Sequence, residues 1–345
     1  MKNTDKQATI YDIAKKANVS ATTVSRALNN SGYVAQEKLD EILKIAKEIN
    51  YSPNQVARML KNQSTSQIML SIPDMRNSFY NDFIEAVNKR AEENSYSLLL
   101  NYNQMKEKTK YKMLDDLAEN HFDGLILVSI HLDEALISRI NAIKKPVVLT
   151  SISSLPPIQW KGNYDFVGVD TRAAMYMSVK HLIEKGHRRI AYIGLDETSL
   201  TGKERFEGYA FALREADIPL KTDIVFESGY DESFGCKSAM TMLQNKERPT
   251  AVCACNDVLA IGVYKALEEA GISIPGQMAI VGMDDSDVCR IVRPKLSSVS
   301  LCSLEMGDAA ARLIFKRLQD HQKRYENVLF EPKLMARASS NITLQ

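Results

Sequence analysis

No apolar run in the 345-residue chain approaches the roughly 18 residues that a membrane span needs. The opening MKNTDKQATI also lacks the apolar stretch of a signal peptide, so a cytoplasmic protein without membrane contact is expected. Catalytic signatures are missing as well: there is no GxGxxG, no GxxxxGK followed by Ser or Thr, no GxSxG and no HExxH. The five histidines, His121, His131, His181, His187 and His321, are scattered, and nothing joins a nucleophile to a base. An enzyme is therefore not expected, nor a cofactor. Cysteine is scarce and unpaired: Cys236, Cys253, Cys255, Cys289 and Cys302 are an odd number with no CxxC. Zinc needs four ligands and no His lies near TAVCACND, so buried thiols are expected, with neither a metal site nor a disulfide.

What is present is ordinary soluble composition, 45% apolar and 25% charged with 15 Gly and 10 Pro. The length suits about two domains with a small extra module. Charge is unevenly placed. Residues 1–64 hold ten Lys/Arg against six Asp/Glu, a net of +4, inside a chain whose total is +1, which leaves −3 for the rest. A basic N-terminal module on a slightly acidic body suggests that any nucleic-acid contact lies in the first 64 residues.

Residues 9–28, TIYDIAKKANVSATTVSRAL, contain two short amphipathic patterns. Thr9 caps the first, where Ile10, Ile13, Ala14 and Ala17 recur at helical spacing and Asp12 stands three residues after the cap. Asn18 and Val19 make a turn. Ser20 caps the second helix, with Thr23 across its first turn and Val24, Ala27 and Leu28 facing inward. A third helix over 36–50 carries the stripe Leu39, Ile42, Leu43, Ala46 and Ile49, and three such helices share one small core. A plain helical hairpin would show the same spacing. The outward residues of the second helix favour DNA: Ala21, Thr22 and Ser25 are small or hydrogen-bonding, and Arg26, one turn on, suits a bidentate pair to guanine in the major groove.

The segment YSPNQVARMLKNQST follows, with a helical stretch at 54–60 too short to be stable alone. Here YDIAKKANVSATTVSRALN followed by INYSPNQVARMLK resembles the LacI/GalR family of bacterial repressors, and the resemblance continues through most of the chain. It implies a helix-turn-helix domain over 1–52 and a hinge helix and linker over 53–66. In such proteins paired hinge helices enter the minor groove once the dimer docks, and a leucine wedges a base step; Leu60 matches that leucine. The DNA contacts it implies are Tyr11, Ser20, Ala21, Thr22, Thr23, Ser25, Arg26, Asn29, Asn54 and Leu60.

From Gln67 onward, ten short apolar runs (QIMLSI, SLLLNY, DGLILVS, PVVLT, FVGV, RIAYIG, DIVF, AVCAC, AIVGM and SSVSL) alternate with amphipathic helices such as 79–94 and 258–270. Alternation of this kind predicts an α/β body of doubly wound parallel sheets, and ten strands suit two sheets. Ligands of such sheets bind beyond the strand carboxyl ends. The resemblance implies a two-lobed, periplasmic-binding-protein-like core over 67–345 that binds effector and dimerises. The expected N-lobe is 67–163 with 296–325, and the C-lobe 164–293 with 328–345, so crossings are expected near 162–165, 293–296 and 325–329. It also implies effector contacts at Arg205, Asn256 and Asp284, with Phe79, Tyr230, Thr201 and Ser151 as further candidates. Each has a plainer reading: Asn256 or Asp257 as a helix cap, Asp284 as a turn residue, Arg205 as surface charge, Phe79 as core. Ser151 departs from several sugar-responsive relatives, which carry an acidic residue there.

The expectation is a homodimeric repressor that binds a pseudo-palindromic DNA operator and answers to a small polar effector, a sugar or sugar derivative. The tail PKLMARASSNITLQ has no leucine heptad, so a dimer is preferred to a tetramer. Two alternatives remain. DVCRIVRPKLSSV, with Arg293, resembles the surface that catabolite control proteins offer to a phosphorylated carrier protein. A soluble sugar-binding protein is the alternative from another class.

Overall fold

A computed structural model describes residues 8–29, 31–51, 64–75, 77–103, 107–128, 134–151, 162–227 and 229–343. Its contacts divide into two units, Met1–Ser64 and Thr65–Gln345.

The smaller unit holds α1 (Ile10–Lys16), α2 (Ala21–Asn29) and α3 (Gln36–Glu48). Asp12 Oδ2 opens α1 by accepting from the Thr9 backbone N–H at 2.8 Å and the Thr9 hydroxyl at 2.7 Å. Asn18 turns the chain at φ 51°. Ser20 Oγ then accepts from the Thr23 N–H at 3.1 Å, which satisfies one orphan donor of α2. Ile13, Ala17, Val24 and Ile42 form the buried centre, and Leu39 and Ile49 pack against it. Leu43 departs from the expected stripe and is 46% exposed. It sits at the stripe's edge, and two helices of seven and nine residues cover only one side of α3.

The larger unit contains twelve described strands in two six-stranded sheets. The first, in spatial order, is β11 (Asn327–Phe330), β5 (Asp165–Val169), β4 (Val147–Ser151), β3 (Gly124–Val128), β1 (Gln67–Ile72) and β2 (Ser97–Tyr102), all parallel. The second is β12 (Lys333–Met335), β10 (Ser297–Ser300), β9 (Ala279–Asp284), β8 (Ala251–Ala254), β6 (Ile190–Leu195) and β7 (Val225–Glu227). Here β12 alone is antiparallel, on β10. The central runs GLILV, IAYIGL and AIVGMD are buried at every position, because helices cover both faces of a parallel sheet.

Those helices are α4 (Phe79–Glu93), α5 (Glu107–Ala118), α6 (Glu134–Ala142), α7 (Thr171–Glu184), α8 (Leu200–Glu215), α9 (Glu232–Leu243), α10 (Asp257–Glu269), the one-turn α11 (Val288–Ile291) and α12 (Ser303–Gln319). α12 packs on α4, β3, β4 and β5, whereas α7 packs on β8, β9, β10 and β12. The chain therefore passes between lobes after β5, after β10 and between β11 and β12, each a few residues later than expected. β5 pairs with β4 and stays in the first lobe, β10 pairs with β9 and stays in the second, and β11 returns to β5. A buried ion pair ties the first lobe together: Arg317 Nε and Nη2 donate to the two Asp165 carboxylate oxygens at 2.7 and 3.0 Å. Asp165 Oδ1 also accepts from the Glu326 N–H at 2.8 Å, just before β11.

Candidate functional site

On α2, Thr22, Arg26 and Asn29 are exposed at i, i+4 and i+7, so they share one outward face, with half-buried Ser25 beside them. Val24 and Ala27 hold the opposite face in the core. Asn29 Nδ2 donates to the Ser25 carbonyl at 2.8 Å, which fixes its amide against the helix. Among the described residues the Arg26 guanidinium has no hydrogen-bond partner. The Ser20 and Thr23 hydroxyls meet at 2.9 Å and so serve the helix start. Ala21 is half-buried, and Tyr11 on α1 stands 73% exposed. Asn54 and Leu60 lie outside the described residues. A polar outward face held by an apolar inner one can present donors and acceptors to base edges.

In the larger unit, β9, β8 and β6 are neighbours, and their carboxyl ends bring Asp284, Asn256 and Asp196 into one region. Arg205, in the second turn of α8, is only 5% exposed. Its Nη1 donates to the Cys255 carbonyl at 2.7 Å, and its Nε is buried without a partner among the described residues. Burial opposes the guanidinium charge most strongly, but Asp284, Cys255, Tyr230 and Tyr192 together outweigh it and raise Arg205 above its ordinary value. Asp284 closes β9 at φ 114°, a conformation few side chains adopt, and is 6% exposed. Burial raises its carboxyl well above the usual range, the Asp257 charge adds to this, and Arg205 and Asn77 oppose it.

Asn256 takes the plainer role as well: its Oδ1 caps α10 by accepting from the Leu259 N–H at 2.7 Å. Its Nδ2 donates to the Tyr230 carbonyl at 3.2 Å, leaving one amide N–H to spare. Tyr230, 40% exposed, donates its hydroxyl to Asp196 Oδ2 at 3.0 Å. Burial pushes the Asp196 carboxyl up, but hydrogen bonds from Thr198, Ser199 and Tyr230 outweigh it and hold the group below the usual range. Thr201 is half-buried in the first turn of α8, and Ser151 half-buried at the carboxyl end of β4 in the other lobe. Phe79 is core: it is 2% exposed, its ring edge-on to Tyr80 at 5.1 Å.

Three carboxylates escaped the sequence reading as site neighbours, or were read only as caps. Asp196 follows β6 in IGLDE, where the strand-end rule that found Asn256 and Asp284 applies equally. Asp257 is 1% exposed and accepts from Ser298 Oγ at 2.7 Å, from the Ser286 N–H and hydroxyl at 2.8 Å each, and from Cys289 Sγ at 3.1 Å, so it braces the loop after β9. Asp82, in α4, faces Asp285 and Asp287 of the other lobe. Asn77 was missed too; its Nδ2 donates to Asp284 Oδ2 at 3.2 Å across 207 positions of sequence.

His187 is 1% exposed, with Nδ1 at 2.9 Å from Thr250 Oγ1. Arg293 turns Nη1 onto the carbonyls of Arg290, Ile291 and Val292 at its own loop. The five thiols are free, and all but Cys236 are buried. No helix among the described residues is long and apolar enough to cross a membrane.

A helix-turn-helix unit joined to a body of two parallel-sheet lobes defines a DNA-binding regulator with a periplasmic-binding-protein-like core. Comparison with known proteins agrees for both units. Residues 9–54 match the family of bacterial regulatory proteins of the lacI type, and residues 179–340 match the periplasmic binding protein-like domain. The HTH-type transcriptional repressor PurR of Mannheimia succiniciproducens is 31% identical over 333 residues, 96% of this chain and 98% of that protein. The ribose operon repressor of Haemophilus influenzae is 31% identical over 336 residues, again 96% and 98%. A LacI family transcriptional regulator from Enterococcus faecium, solved with bound ribose, is 25% identical, covers 81% of this chain and 100% of its own, and superposes with a TM-score of 0.70. The chain belongs to the LacI family of bacterial regulators. It is a DNA-binding transcriptional repressor and not an enzyme, which sets aside the reading as a sugar-binding or transport protein.

Proposed function

We propose that the protein represses as a cytoplasmic homodimer on a pseudo-palindromic operator and is controlled by a small polar effector, a sugar or sugar derivative, held between the lobes by Arg205, Asn256 and Asp284. One helix-turn-helix covers a half-site, so a two-fold pair of them is what makes a longer operator readable. In this reading the exposed face of α2 reads bases, Tyr11, Ser20 and Thr23 approach phosphates, and Asn54 and Leu60 belong to a minor-groove hinge. Tyr230, Thr201 and Ser151 line the effector cleft.

The observation that carries the effector site is the buried Arg205 Nε without a partner, beside an Asp284 carboxylate whose ionisation burial opposes. Buried polar groups are normally paired, and an orphan donor next to an acidic acceptor fits a hydroxyl-bearing ligand that donates to one and accepts from the other. The ribose operon repressor and the regulator solved with bound ribose point to a sugar in those proteins, and the chemistry of this cleft suits a polyol. The test is to identify small molecules released from the natively purified protein and titrate them, with D-ribose, into wild type and Arg205→Met. A ligand that binds wild type, changes its operator affinity and loses at least tenfold in the variant supports the site. Equal binding by Arg205→Met, or no small molecule that alters operator affinity, overturns it.

A further inference from the structure

We infer that the Asn77–Asp284 hydrogen bond is an interlobe latch: Asn77 occupies a position on Asp284 that an effector hydroxyl would use, and sets how readily the cleft opens. Asn77 lies between β1 and α4 in the first lobe, and Asp284 ends β9 in the second. The donor reaches the very carboxylate that the effector is proposed to use, at 3.2 Å. A ligand hydroxyl that uses the same lone pair of Asp284 Oδ2 competes with it, so the latch lowers apparent affinity by the fraction of molecules in which it is shut. This regulatory meaning rests on the proposed effector site, whereas the bond itself does not.

Its surroundings make the latch consequential. Asp82 on α4 meets Asp285, Asp287 and Arg290 of the second lobe, and its carboxyl is raised by burial first and then by Asp287, Glu85 and Asp285, against Arg290. The rim thus sets Asp82 and Glu85 against Asp285 and Asp287, which Arg290 and Arg337 pair, and the Asn77 amide adds a direct hydrogen bond across it. The same side chain has a second task that must be separated from the first. Its Oδ1 accepts from the Phe79 N–H at 2.9 Å and starts α4. Asn77→Asp keeps that acceptor while replacing the donor with a charge opposite Asp284.

The experiment uses the full ligand-free chain with a fluorophore pair carried by non-natural residues at Lys89 on α4 and Lys237 on α9, both exposed. Energy transfer between them, read at about pH 9 where Asp284 is ionised, reports the lobe arrangement in wild type, Asn77→Asp, Asp284→Asn and the double exchange Asn77→Asp with Asp284→Asn. The latched population should fall by roughly ten- to a hundredfold in Asn77→Asp. The double exchange should recover it, because the amide then sits on the second lobe and the carboxylate on the first. Transfer unchanged in Asn77→Asp, or not recovered by the exchange, overturns the latch. Recovery in a protein that answers to no small molecule would support the latch and instead count against the effector reading.

Discussion

Arg26→Ala isolates base readout from everything else the N-terminal unit does. Arg26 is exposed on α2 and has no hydrogen-bond partner among the described residues, and alanine is at least as good a helix former, so folding should change by no more than about 0.5 kcal/mol. At the operator, loss of a bidentate contact to guanine should cost about 1–3 kcal/mol, or roughly 5- to 150-fold, per half-site. Symmetry places the loss at one base pair in each half-site. The assay is fluorescence anisotropy with an operator selected from random duplex DNA, repeated with each base pair substituted in turn at one fixed salt concentration. The signature is loss of preference at one symmetry-related pair of positions while the others keep theirs. If Arg26→Ala weakens all sequences equally, Arg26 is a phosphate contact and the orientation assigned to α2 is wrong.

The remaining expectations address stability and bending. Because burial raises the Asp284 carboxyl, the folded chain binds more protons than the unfolded one between the unfolded pKa of about 4 and the raised value, so stability falls as pH rises through that interval. Asp284→Asn removes the ionisation, and the drop in Tm between about pH 5 and pH 9 should be smaller in the variant than in wild type; an equal drop assigns the loss to other groups. Arg317→Met leaves Asp165, 1% exposed, without its guanidinium, and should cost about 3–5 kcal/mol in a denaturant titration. A loss below about 1 kcal/mol would mean that water reaches Asp165 in solution. Leu60→Ala should reduce operator bending in a circular-permutation assay while leaving general electrostatic binding, since unstacking a base step needs an apolar insert. An unchanged bend removes Leu60 from the mechanism.

The elements that sequence made legible are those whose own side chains declare them. Ten strands were visible as apolar runs, the central ones because both faces of a parallel sheet are buried, and Thr9, Ser20 and Asn256 show themselves as helix starts by side-chain chemistry alone. The two missed strands, Asn327–Phe330 and Lys333–Met335, are four and three residues long at sheet edges, too short and too exposed to make a run. The first lobe crossing was misplaced because FVGV is equally at home in either sheet; its pairing with β4 and β11 decides, and the β11 partners lie 161 positions away. Asn256 and Asp284 stand at strand ends, as their sequence positions suggested, and Arg205 lies in the helix that follows a strand, whereas Asn77 became visible only through a partner in the other lobe. Phe79 went the other way: its aromatic ring matched a ligand-facing pattern, and the tertiary core claimed it.

The central claim is that α2 reads DNA for this chain while the core governs when it does so. The most direct measurement is selection from random duplex DNA by the full chain, followed by anisotropy titration of the enriched sequence with the full chain and with residues 65–345. The account predicts an enriched pseudo-palindrome bound in the nanomolar range by the full chain, roughly a thousandfold tighter than random duplex, and not bound by the shorter chain. Enrichment of no sequence, or equal binding of the palindrome by residues 65–345, would contradict it.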